Sequence, residues 1–298
     1  MTTWFDADVI EATVKNALLQ GCEEVYILDN DSPDDTVQIA RSAGAVIERV
    51  YATEYFDDVL KTRLMNETVQ AISEQSGDDH IWWLYLDSDE FHHGPYGLTV
   101  REYLDSLDRS FRVVGATAFD HFPHAVPEYE SGRHPLDFQP LCAARPLPSL
   151  FDICWLHHWK HPLIRWDRGA PSLLPTVGFH FVKADFQLLE PRQGIFLHHF
   201  QYRQESVTRG RLEAACGVPL GAADPPRIAL YDQQVGASDL TRRWRNLDAV
   251  YQHRWSEVDH QGSPGVPLGV KPRPWTDLVP PVHTRISRWY PTQSSRSS

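Results

Sequence analysis

Three carboxylates stand at the end of an apolar run in Ile81-Trp82-Trp83-Leu84-Tyr85-Leu86-Asp87-Ser88-Asp89-Glu90-Phe91. Asp87 and Asp89 are two residues apart. Carboxylates brought this close repel unless positive charge sits between them, and a hard divalent cation with oxygen ligands supplies that charge. A bare Asp-x-Asp tripeptide also recurs in acidic chains as a solvated turn, so its surroundings decide. A second acidic stretch, Asp29-Asn30-Asp31-Ser32-Pro33-Asp34-Asp35-Thr36, follows the apolar residues 25–28. Lys61, Arg63 and Asn66 precede the first motif. Arg63 is the choice for a phosphate contact because its fork binds two oxygens at once, against the commoner reading of an exposed helix face. Late in the chain, His198 and His199 lie within Gly194-Ile195-Phe196-Leu197-His198-His199-Phe200. Alternation along a strand lets only one of them face a given site.

The elements that position these groups alternate. Apolar spacing predicts a helix over 10–20, a strand over 25–28, a helix over 36–43, a short strand over 44–48, a helix over about 56–74 and a strand over 81–86. Ser32 or Asp34 suits the cap of the second helix, and Pro33 its first turn. The order is that of a doubly wound α/β domain, whose ligands gather at the carboxyl ends of the strands. Six consecutive apolar residues over 81–86 suit a strand buried on both faces. A further strand over 111–117 leads into a region, 120–175, rich in His, Pro and aromatic residues, where loops and short strands are expected. Zinc is a weaker alternative for its histidines, since no cysteines stand at suitable spacing. Lys160 and Arg165 of that region are candidate phosphate or acceptor contacts.

The pairing of Leu28-Asp29-Asn30-Asp31-Ser32-x-x-Asp35-Thr36 with Leu86-Asp87-Ser88-Asp89-Glu90-Phe91 resembles the nucleotide-sugar half of GT-A glycosyltransferases, and more narrowly the bacterial family-two-like enzymes. The resemblance covers roughly residues 6–215. It implies a GT-A-like, mostly parallel sheet flanked by helices, and transfer of a sugar from a UDP, GDP or dTDP donor with Mn2+ or Mg2+ as cofactor. It implies Asp29 near the base, Asp87 near the ribose or metal, and Asp89 on the metal. His199-Phe200-x-x-Arg203 is similar to that family's late histidine pattern, which makes His199 the first choice for a metal ligand and His198 the second, with ordinary core packing the alternative for both; His180 is a third candidate. An inverting transfer needs a base. Glu190 lies at the distance the resemblance suggests, with Asp120, Asp137 and Asp167 open, whereas a retaining transfer needs no base. Members of the family open with a full first strand, but this chain reads Met1-Thr2-Thr3-Trp4-Phe5-Asp6-Ala7-Asp8 at that place, so the expectation is a first strand shortened or absent.

Composition fits a globular enzyme, with 42% hydrophobic and 23% charged residues. No run of about eighteen apolar residues predicts a membrane span, and no signal peptide is read at the start. Cys22, Cys142, Cys154 and Cys216 lack Cys-x-x-Cys spacing, which suits reduced thiols in cytoplasm. A net charge of -12 argues against a nucleic-acid surface. Only five lysines, at 15, 61, 160, 183 and 271, accompany abundant arginine, a hint of a GC-rich bacterial source. The expected organisation is a catalytic domain over 1–220, with a nucleotide-sugar half to about 118 and an acceptor half over 119–220. A Pro- and Trp-rich extension over 221–298 follows, with one helix over about 239–255. That extension either folds back or makes an oligomer contact. A nucleotidyltransferase, or a non-catalytic nucleotide- or sugar-binding relative, is the alternative function.

Overall fold

The computed structural model describes residues 1–53, 57–123, 132–143, 159–215, 240–257 and 272–277. The chain is mixed α/β, and its first half follows the predicted alternation: β1 (Thr2–Thr3), α1 (Ile10–Leu19), β2 (Tyr26–Asp29), α2 (Thr36–Ser42), β3 (Val46–Val50), α3 (Asp58–Gln75) and β4 (His80–Leu84). Strands β1, β2 and β3 form a parallel sheet in that order. Helix α1 buries Ile10, Val14 and Ala17, a spacing that makes one apolar face against the Ile27 side of β2. Two of its other buried positions are polar and specific. Asn16 donates to the His92 carbonyl at 3.1 Å, and Thr13 donates to the Ser88 carbonyl, so this helix holds the acidic motif from behind. Helix α3 starts where the Asp57 carboxylate accepts the Leu60 amide at 2.8 Å.

The second half departs from a doubly wound, mostly parallel sheet. After β5 (Glu90–His93), α4 (Val100–Asp105), β6 (Val113–Asp120) and β7 (Leu141–Ala143) comes β8 (Trp159–Asp167), nine residues long where loops and short strands were expected. Then follow β9 (Leu174–Pro175), β10 (Val182–Lys183), β11 (Ile195–His199) and α5 (Glu205–Ala215). The five-stranded order is β4-β8-β6-β11-β5; β8 runs antiparallel to both β4 and β6, and β5 antiparallel to β11, so the sheet is mixed. Two glycines permit its middle to close. A Cβ at Gly115 would sit 2.1 Å from the Trp159 indole, and one at Gly194 would sit 2.1 Å from the Gly115 carbonyl. Strand β4 is half-buried and ends at Leu84, so the expected strand over 81–86, buried on both faces, is not what forms. An isolated parallel pairing of Thr2 with Asp87 joins the two sheets.

Helix α6 (Leu240–Tyr251) and strand β12 (Pro272–Pro274) come from the expected C-terminal extension, and both fold back. The Tyr251 hydroxyl donates to the Arg203 carbonyl at 2.6 Å, and β12 pairs with β7. Trp275 is buried among Phe91, Phe119, Phe196 and Phe200. The Pro- and Trp-rich stretch over 221–239, Trp244, Trp289 and the histidines at 124, 157 and 158 lie outside the described residues or side chains.

Candidate functional site

Two strand ends meet through β1. Asp29 closes β2, and its carboxylate accepts the Thr3 hydroxyl at 2.9 Å, the Ser32 amide at 2.8 Å and the Ser32 hydroxyl at 2.6 Å. The remainder of this acidic stretch is knitted to the entry of α1: the Thr36 hydroxyl accepts the Asp6 amide at 2.8 Å, and Asp34 accepts the Ala7 amide at 3.2 Å. Asp31 adopts a left-handed backbone, with φ 48°, which turns the chain sharply enough for these bonds. Thr2, beside Thr3, pairs with Asp87, so the Asp29 and Asp87 ends are held one strand apart.

Beyond β4 the chain turns through Asp87-Ser88-Asp89-Glu90, and cations surround it. Lys61 of α3 lies 3.0 Å from Asp87 and 2.7 Å from Asp58. Lys160 of β8 lies 3.5 Å from the other Asp87 oxygen and bonds to the fully buried Glu90, whose second oxygen accepts the Asp87 amide at 3.1 Å. Arg211 of α5 donates to Asp89 at 2.9 Å. Burial alone would raise the Asp87 and Asp89 carboxyls; Lys61 and Lys160 around the first, and Arg211 and His199 beside the second, outweigh it and hold both well below the carboxylate range. Both lysines are correspondingly held in the charged form by their acids.

His199 closes the other side. Its Nδ1 lies 2.8 Å from Asp120 and its Nε2 3.7 Å from Asp89. Burial works against the charged imidazole, but the Asp120 bond and the Asp89 charge more than offset it, and the net shift is upward. With Nδ1 committed to Asp120, Nε2 faces a carboxylate oxygen across a gap too long for a hydrogen bond. A carboxylate–histidine pair of this kind orients the ring of a metal ligand.

The other candidates lie elsewhere. His198 points away from Asp89, as alternation requires, into a buried chain of imidazoles. Its Nε2 lies 2.9 Å from His93 Nε2 and its Nδ1 2.8 Å from His121 Nε2, while the outer nitrogens of His93 and His121 face the Gly94 and Gln139 carbonyls. Burial lowers His121 to about 4, and His92 and His134 nearby to about 3, so these rings are neutral. Arg63 sits on the exposed face of α3 beside Glu67, and Lys61 is the cation that this helix turns inward. Glu190 accepts a bond from His161 at 3.1 Å. His161 follows Lys160 in β8, so the pair falls on the face opposite the Lys160–Glu90 contact. His180 offers its carbonyl to His161 at 2.7 Å. Arg165 binds Asp167 at 2.8 Å, and Asp137 lies 3.5 Å from Arg133. Arg203, the last residue of the late histidine pattern, is fully buried between Asp6 and Asp8, at 2.8 Å from each.

Arg211 is the functional-site residue that sequence reasoning passed over, and Lys61 was set aside for Arg63. For Lys61 a signal existed: Lys61, Leu64, Met65 and Thr68 share the buried face of α3 at helical spacing, and Arg63 does not. Among the described residues no three His, Cys, Asp or Glu side chains converge as a preformed metal cage. No protein-family model matches the chain, and no curated protein matches it.

Proposed function

We propose that the chain is a GT-A-type glycosyltransferase that moves a sugar from a nucleoside diphosphate donor to a small-molecule or glycan acceptor. One observation carries the reading: Asp29 and the Asp87–Asp89 turn stand one strand apart at the carboxyl ends of strands that run the same way. Open α/β sheets bind ligands at such ends. Three cations, the buried Lys61 and Lys160 and the partly buried Arg211, stand among these acids, which suits a charged phosphate ligand better than it suits a solvated turn.

The residues present fit a divalent ion of modest demand. Mg2+ and Mn2+ take few protein ligands where substrate phosphates complete the shell. Asp89 and His199 are two such donors, 3.7 Å apart, with Arg211 and Asp120 fixing their far sides. An ion held there would act as a Lewis acid on the leaving diphosphate. The remaining work belongs to the chain: Lys61 and Lys160 fix Asp87, Asp120 sets the His199 ring, and Arg211 adds charge that stabilises a departing phosphate.

The test is release of nucleoside diphosphate from UDP-, GDP- and dTDP-sugars without acceptor. At least one donor should be hydrolysed slowly, faster with Mn2+ or Mg2+, and Asp89→Asn should lower that stimulated rate by roughly tenfold or more with unchanged circular dichroism. Stimulation intact in the variant would remove Asp89 from the metal. Pyrophosphate release from nucleoside triphosphates, with no sugar-nucleotide turnover, would favour a nucleotidyltransferase.

A further inference from the structure

Both lysines of the acidic turn lie over one aromatic ring. The Lys61 ammonium is 5.4 Å from the centre of the Phe179 ring, and the Lys160 ammonium is 6.0 Å from it. The same two groups take the two oxygens of Asp87, at 3.0 and 3.5 Å, with Asp58 and Glu90 as their further acids. Phe179 is fully buried in a cluster with Leu28, Leu64, Met65 and Ile164, and the Tyr85 ring lies 5.4 Å from it. A cation within about 6 Å of a ring centre is attracted by the negative face of the ring, more strongly where water is excluded. An ammonium taken out of water needs such partners in addition to its carboxylates.

The turn that delivers this ring is strained. Gly178 and Phe179 both have left-handed backbone, with φ 69° and 59°. Glycine enters that region freely, whereas a bulky side chain does so only where its surroundings force it. Here they do. The Thr176 amide donates to the Phe181 carbonyl at 2.7 Å and the Phe179 amide to the Thr176 carbonyl at 2.9 Å. His161 Nδ1 donates to the His180 carbonyl at 2.7 Å, which pins the turn to β8. Phe181, two residues on, is left 47% exposed. Apolar volume can be supplied to a core from ordinary backbone, but the face of a ring under two ammonium groups needs this particular aim.

We propose that Phe179 is a positioning residue of the candidate site: its ring face holds the Lys61 and Lys160 ammonium groups in place, and they in turn fix the Asp87 carboxylate. The line of action runs from ring to ammonium pair to carboxylate, so Phe179 touches no ligand itself. Its effect on a nucleoside diphosphate rests on the glycosyltransferase reading; its hold on the two lysines does not.

The test replaces Phe179 in the full chain by phenylalanine carrying one, two or three ring fluorines, which weaken the negative face with little change in volume, and separately by leucine, as Phe179→Leu. The chain has five lysines, so isotope labelling of lysine alone leaves few signals, and exchange of the Lys61 and Lys160 ammonium protons with water is read by NMR. Exchange should quicken with each fluorine, by at least about threefold at the third, and further in Phe179→Leu. Binding of UDP, GDP and dTDP with Mn2+, followed by calorimetry, should weaken in the same order while circular dichroism stays native. Exchange that is flat across the fluorine series would overturn the proposal, since a ring that only fills the core behaves so, and this holds even where Phe179→Leu fails to fold. Quickened exchange with nucleotide binding intact would overturn the step from the lysines to the site. If none of the three nucleotides binds the native chain, the glycosyltransferase reading fails, and the exchange series by itself decides whether the ring holds the lysines.

Discussion

Asp87, Asp89 and Glu90 were legible as a cluster because their spacing after an apolar run is informative by itself, and the structure gathers them with Asp120 and His199. Their cations were not legible to the same degree. Arg211 lies in α5 among Glu205, Arg209 and Glu213, where no pattern separates an inward charge from a solvated one. Lys160 was visible, but its partner Glu90 needed the β8 crossing to be known. The same crossing fixes His161 against Glu190. Burial pulls that imidazole down, while the Glu190 carboxylate and the His180 carbonyl push it up, and the net shift is upward. A raised folded value favours the native state fully below the unfolded histidine value near 6.5, and the benefit fades as pH rises through the folded value. Glu190 is 35% exposed, so solvent screening keeps the effect under about 1 kcal/mol. Glu190→Gln should therefore lower the thermal midpoint more at pH 6 than at pH 8, against a wild-type midpoint that the neutral buried histidines push upward over the same range. A deficit in the variant that is equal at both pH values would mean that the charged pair contributes nothing.

At the scale of elements, the helices over 10–20, 36–43 and 56–74 form at Ile10–Leu19, Thr36–Ser42 and Asp58–Gln75 because periodicity of 3.6 is a strong local signal. Strand β8 was hidden because its Trp-Lys-His-Pro-Leu-Ile-Arg-Trp-Asp sequence mixes proline and charge, and its identity depends on two neighbours distant in the chain. Its close approach to β6 depends on glycine. Gly115→Ala should press against the Trp159 indole, and Gly194→Ala against the Gly115 carbonyl, which is backbone and yields less. Overpacking of this kind costs roughly 1–3 kcal/mol. Urea unfolding should show both variants destabilised, with Gly194→Ala the worse; wild-type stability for Gly194→Ala would mean that the β6–β11 approach is looser than described. No described helix is long and apolar enough to cross a membrane.

For the whole molecule, the C-terminal elements are part of the core. Trp275 closes over His198, with ring centroids 4.8 Å apart, and completes a cluster with Val9, Phe91 and Phe200. Trp275→Ala should cost about 3–5 kcal/mol, as large-to-small changes at buried aromatics do, and chemical denaturation should remain a single transition. A loss under about 0.5 kcal/mol would mean that the ring covers the core without stabilising it.

The seat of Trp275 also bears on how the protein is made. Residues 1–215 leave the ribosome first, at about 5–20 residues per second, so on the order of several seconds pass before residue 275 is available. During that interval Phe91, Phe196 and Phe200, together with the imidazole chain, lack their cover, and the nascent chain presents a sticky apolar surface to its surroundings. How long that surface stays uncovered is then set by the time that translation takes between α5 and β12.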